Sequence, residues 1–136
     1  MVNFIKKLKI TASCCALLLP FTAFAGDLVI VNHTSADSTA IVLGACSTIL
    51  GPIGTTKAHT TNIVPQKVME YICLADKKNC KSEIHMEGKC KGPGVAEISM
   101  NVFTGITAIK NYNVNGYLLV ASVGGYTVDI YGGPEG

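Results

Sequence analysis

Four cysteines behind an export leader constrain this chain more than any other feature. Residues 1–25 open with Lys6, Lys7 and Lys9 and continue through an apolar run from Ile10 to Phe24. They end in Ala23-Phe24-Ala25, a small-x-small cleavage site before Gly26, the layout of a secretory signal. The run is shorter than the ~20 apolar residues of a spanning helix. Cys14 and Cys15 leave with the leader, and Gly26 rather than a cysteine heads the mature chain, which argues against a lipid anchor. Cys46, Cys73, Cys80 and Cys90 remain. An even cysteine count in a small exported domain reads as two disulfides. The expected location is the periplasm or beyond, with no transmembrane segment after cleavage.

Cleavage leaves 111 of the 136 residues, the size of one domain, expected over residues 26–131 with a flexible tail at 132–136. Three of the eleven lysines belong to the leader, so the remainder carries eight lysines against nine acidic residues and no arginine. Bidentate recognition of phosphates and bases leans on arginine, so nucleic acid is not an expected partner.

The chain after Gly26 reads as strands and turns. Asp27–Asn32 and Ala40–Leu43 are rich in β-branched residues. Glu83–Glu87, Val95–Asn101 and Tyr126–Tyr131 alternate, placing Ile84 with Met86, Ala96 with Ile98 and Met100, and Tyr126 with Val128 and Ile130. Val68–Cys73 reads as a further strand. Asn115-Gly116 and Gly124-Gly125 suit two-residue hairpin turns, which predicts a three-stranded C-terminal meander. The expected fold is all-β: an antiparallel β-sandwich of about eight or nine short strands, with a small β-barrel as the alternative.

Reach orders the disulfide choices. Cys80 and Cys90 flank the Glu83–Glu87 strand, which spans about 17 Å at ~3.3 Å per residue. Disulfide Cα atoms lie roughly 4.4–6.8 Å apart, so Cys80–Cys90 is disfavoured. Cys73–Cys80 would close a polar six-residue loop, leaving Cys46–Cys90 to pair across the domain. The other pairings stay open at this point. Spacings of 27, 7 and 10 residues do not match the close Cys pairs of structural zinc.

Two side-chain groups stand out. Lys77, Lys78, Lys81, Lys89 and Lys91 are five of the eight mature lysines and fall within fifteen residues, alongside the two cysteine-bounded loops. Held together by the disulfides, they would make a cationic knob at one end of the sandwich, facing a lipid headgroup, an acidic glycan or a protein partner; a solvated loop is the plainer reading. Glu83, His85 and Glu87 share one strand face at about 6.6–7 Å spacing and could supply metal ligands, or simply form a polar face. Gly-x-Ser-x-Gly, His-Glu-x-x-His and Gly-Lys-Ser/Thr motifs are missing, so no enzyme and no cofactor are expected. Asn32-His33-Thr34 has the form of a glycosylation sequon, but Asn32 reads as a strand-end turn former.

Short motifs carry a resemblance. They are Val29-Ile30-Val31-Asn32-His33-Thr34, Ala45-Cys46-Ser47, Ile72-Cys73 with Cys80, Glu83-Ile84-His85-Met86, Cys90-Lys91-Gly92, Gly105-Ile106 and Gly116-Tyr117. In these the chain resembles small exported four-cysteine β proteins of intracellular Gram-negative bacteria. The resemblance implies a secreted β fold and assigns no catalytic residues.

The sequence reading is therefore a secreted or periplasmic non-catalytic binding module that works through its lysine-rich end. Two alternatives are an assembly subunit pairing through an edge strand, Asp27–Asn32 or Tyr126–Tyr131, and an inhibitor of a secreted enzyme that uses the Cys73–Cys80 loop as a wedge.

Overall fold

A computed structural model describes residues 26–134. The expected leader and its cleavage site at residues 1–25 lie outside the described residues, as does the end of the tail, Glu135 and Gly136. Among the described residues the strands are β1 (Leu28–Asn32), β2 (Thr39–Val42), β3 (Ala45–Cys46), β4 (Thr61–Val64), β5 (Cys80–His85), β6 (Gly94–Asn101), β7 (Gly105–Asn111), β8 (Leu118–Val120) and β9 (Thr127–Tyr131). A helix α1 (Gln66–Ile72) and 3₁₀ segments at Ser47–Gly54 and Gly88–Cys90 complete the set.

The strands form two sheets, ordered β4-β1-β9-β8 and β3-β2-β5-β6-β7. Alternation buries one face of each. Ala96, Ile98 and Met100 point inward from β6, and Val128 and Ile130 point inward from β9 to meet them. The result is an all-β sandwich stapled by two disulfides, not a closed barrel. Cys46 pairs with Cys90 and Cys73 with Cys80, at Cα separations of 5.9 and 5.6 Å.

Four local expectations are corrected. β1 and β9 pair in parallel, with Val29 opposite Thr127 and Asn32 opposite Ile130. Hairpin reasoning reaches only chain neighbours, and nearly the whole domain separates these two strands. Neither is therefore an edge, because β4 and β8 flank them, and the edge-strand model loses both of its proposed strands. Val68–Cys73 is helical rather than extended. Its β-branched residues mask an i, i+4 pattern in which Met69 and Cys73 are buried while Val68 and Ile72 pack beside them. Pro65 leads into the helix, and the Asp27 carboxylate accepts the Gln66 N–H at 2.9 Å. The C-terminal meander holds only in its second half. β8 and β9 form an antiparallel hairpin around Gly124-Gly125, but β7 joins β6 in the other sheet. Asn115 and Gly116 do adopt positive φ, 53° and 76°, yet Asn113 (φ 60°) has already bent the chain toward the opposite sheet.

The two long sides of the sandwich are sealed differently. On one, Ile106 exchanges backbone hydrogen bonds with Gly124 and Gly125, and the Asn111 amide brackets the Leu119 backbone at 2.9 and 3.0 Å. On the other, Ser38 bridges to Thr56, and the Ser47–Gly54 segment spans the gap between β2 and β4. The Gly54 backbone lies directly on the Ser47 carbonyl, closer than any Cβ allows.

Candidate functional site

The Ser47–Gly54 side carries an apolar concavity. Leu43, Ala45, Cys46, Ile49, Tyr71 and Leu74 line a groove of about 280 Å³. Leu43, Ile49, Tyr71 and Leu74 are 56%, 70%, 70% and 68% exposed, so four large apolar side chains face water in one place. Burial of a Leu or Ile contributes about 1.5–3 kcal/mol, so such a patch is a feature to be explained. Both disulfides hold it. Cys46 is itself in the wall, and Cys73 lies between Ile72 and Leu74.

A second cavity, of about 70 Å³ and mostly apolar, lies behind the groove between the sheets. Val42, Ser47 and Ile72 line both spaces. Ile49 faces the groove and Leu50 the interior, so the Ser47–Gly54 segment is the partition.

The five lysines do not gather into one knob. β5 runs between the two loops, with Lys77 and Lys78 before its first residue and Lys89 and Lys91 after its last. Lys81 is on the strand, facing away from the core. Each loop is nevertheless tied to the groove. Lys89 and Lys91 flank Cys90, the partner of the wall residue Cys46, while Lys77 and Lys78 follow Leu74 within the Cys73–Cys80 loop. Lys77 sits 3.8 Å from Glu70. Lys78, Lys81, Lys89 and Lys91 are exposed and form no ion pair among the described residues.

Glu83, His85 and Glu87 have a structural task that their spacing did not reveal. His85 is buried, with Nε2 at 2.9 Å from Glu83 Oε1 and Nδ1 at 3.1 Å from the Gly92 carbonyl. Glu87 lies against Gly92 and Glu83 against Gly94, so close that a Cβ at either glycine would collide with a carboxylate. The three residues clamp the Gly92–Gly94 loop rather than converge on one point. Both His85 nitrogens are engaged, and no group of three metal-ligating side chains occurs among the described residues. The Tyr112 hydroxyl donates to Glu83 at 3.3 Å. Burial raises the Tyr112 pKa above its usual value of 10.0, and the charge of Glu83 adds to the effect.

Away from the groove, His33 stacks on Tyr131 with ring centroids 4.4 Å apart and contacts Asp129 at 2.8 Å. Leu118 and Val120 are half-exposed nearby. This strip is accompanied by an acid rather than by lysines.

A family model described as "T2SS substrate NttC" matches residues 1–130. No curated protein matches the chain. Among solved structures, the crystal structure of the Legionella pneumophila type II secretion system substrate NttC superposes with a TM-score of 0.62. The two are 22% identical over 79% of this chain and 97% of that one, a likeness of fold.

Proposed function

This chain belongs to the NttC family of type II secretion system substrates, and from that premise we propose that it is a secreted, non-catalytic protein that docks on anionic lipid surfaces. Export through the periplasm agrees with two disulfides and with the leader-like residues 1–25. The observation that carries the reading is the groove, where four large apolar side chains are more than half exposed between loops bearing unpaired lysines. Apolar groups that enter the headgroup boundary, with cations alongside for anionic lipid, are the two parts of an interfacial binding site. Lysines in two sets beside a groove suit a planar surface better than one compact ligand.

Vesicle flotation tests this. Oxidised residues 26–136 should float with phosphatidylglycerol vesicles and not with phosphatidylcholine, and less so as salt rises. Changing Lys77, Lys78, Lys81, Lys89 and Lys91 to Gln should abolish the association, since each lysine near an anionic surface contributes about 1 kcal/mol. Equal flotation with both lipids, or none with either, would overturn the reading; in the second case the groove would stand as a protein-docking surface.

A further inference from the structure

We infer that the cavity behind the groove takes up the tip of one acyl chain from an anionic lipid, a step that rests on the surface reading above. The cavity is built for hydrocarbon. Met69, Met100, Ile84, Val128 and Ile130 wall it, and Thr39, Asn62 and Ser47 beside it are engaged in hydrogen bonds of their own. Thr39 Oγ1 donates to the Glu87 carbonyl and accepts the Cys90 N–H. The Asn62 amide donates to the Ile53 carbonyl at 2.9 Å, and Ser47 Oγ accepts the Ala40 N–H at 3.0 Å. A buried water needs two to four polar partners, and the hydrogen bonds of Thr39, Asn62 and Ser47 draw these groups to other partners. At about 70 Å³ the space is roughly half that of an apolar cavity that stays dry and binds benzene, ~150 Å³. It fits a chain end, with the remainder in the 280 Å³ groove.

The route passes through a wall one segment thick. Ile49 and Leu50 are adjacent in sequence and face opposite spaces. The segment turns at Gly51, whose φ of 75° and ψ of −146° break its helical run. The head of the lipid stays outside, where the lysines beside Cys90 and in the Cys73–Cys80 loop supply the opposite charge. Cavity and groove thus suit an acyl chain, while the two sets of cations suit the anionic surface from which it comes.

Methionine methyls report this directly. Met69 and Met100 line the cavity, whereas Met86 lies by a separate depression near Tyr117. Oxidised residues 26–136 carrying ¹³C-methyl methionine are titrated with sodium laurate below its micelle concentration, with vesicle flotation run in parallel. The expected result is a saturable shift of the Met69 and Met100 methyls while Met86 stays still. Ile49→Glu, at an exposed groove position, should weaken that response by about tenfold or more by placing a charge of the same sign as the probe in the groove. Silent Met69 and Met100 methyls with vesicles still bound would overturn chain insertion and leave the surface reading intact. Silent methyls with no vesicle binding would overturn both. Shifts spread equally over all three methionines would also overturn it, as denaturation or unspecific detergent binding.

Discussion

Asn32 shows what one buried amide holds in place. It is 2% exposed, and its Nδ2 donates to the carbonyls of Ala36 at 2.8 Å and Thr56 at 3.1 Å. Its Oδ1 accepts from the Thr34 N–H and hydroxyl. This side chain fastens the end of β1 to the turn after it and to the Thr56 strand bridge, as a strand-end turn former should. Asn32→Ala leaves several buried groups without partners, and chemical denaturation should show a loss of about 3 kcal/mol. The tyrosines make a prediction of the opposite kind. Burial is the first cause of the raised pKa at both Tyr112 and Tyr117, with Glu83 and Glu87 respectively adding to it. The folded state therefore keeps these protons at a pH where the unfolded chain releases them. Their contribution is complete below pH ~10 and is lost as pH rises through the folded values. Denaturant midpoints should fall as pH rises above about 10, and Tyr112→Phe should fall less steeply there.

Elements legible from local pattern came through, and those that depend on distant partners did not. β6 and β9 alternate plainly, and both bury the residues their period of two selects. The disulfide pairing is the one that reach favoured without settling, although the element assumed to precede Cys73 was wrong: a helix presents Met69 and Cys73 on one face as readily as a strand ends there. The parallel β1–β9 pair and the crossing after β7 are set by sheet-to-sheet packing, which no short window contains. The groove was missed because Leu43, Ile49, Tyr71 and Leu74 come from three separate segments, none of which stands out in the local pattern. The lysines stand out in the sequence, but the strand length of about 17 Å that disfavours Cys80–Cys90 also keeps their two loops apart, a consequence the single-knob expectation left out. The disulfides should differ in weight. Closing loops of 7 and 44 residues' separation contributes about 2.5 and about 4 kcal/mol by chain entropy. Cys46→Ser with Cys90→Ser should therefore lower stability more than Cys73→Ser with Cys80→Ser. The second pair should still weaken vesicle binding, by releasing Leu74 and the loop lysines from the groove.

The whole molecule combines a well-sealed side with a thinly walled one. Backbone bonds and the Asn111 amide close β7 onto the β8–β9 hairpin, while a kinked 3₁₀ segment, with Val42 and Ile72, separates the apolar groove from the interior. Two disulfides brace that weaker side and bring lysines to it, although the chain after Gly26 is close to neutral overall. The account's central claim is that the groove and the lysines act as one site. A double-mutant cycle on affinity for phosphatidylglycerol vesicles tests this most directly, comparing Lys89→Gln with Lys91→Gln, Ile49→Ser with Leu74→Ser, and all four together. The account predicts that each pair weakens binding and that the combined loss departs from the sum, because cations and apolar side chains engage the same membrane patch. Unchanged affinity in either pair would contradict it.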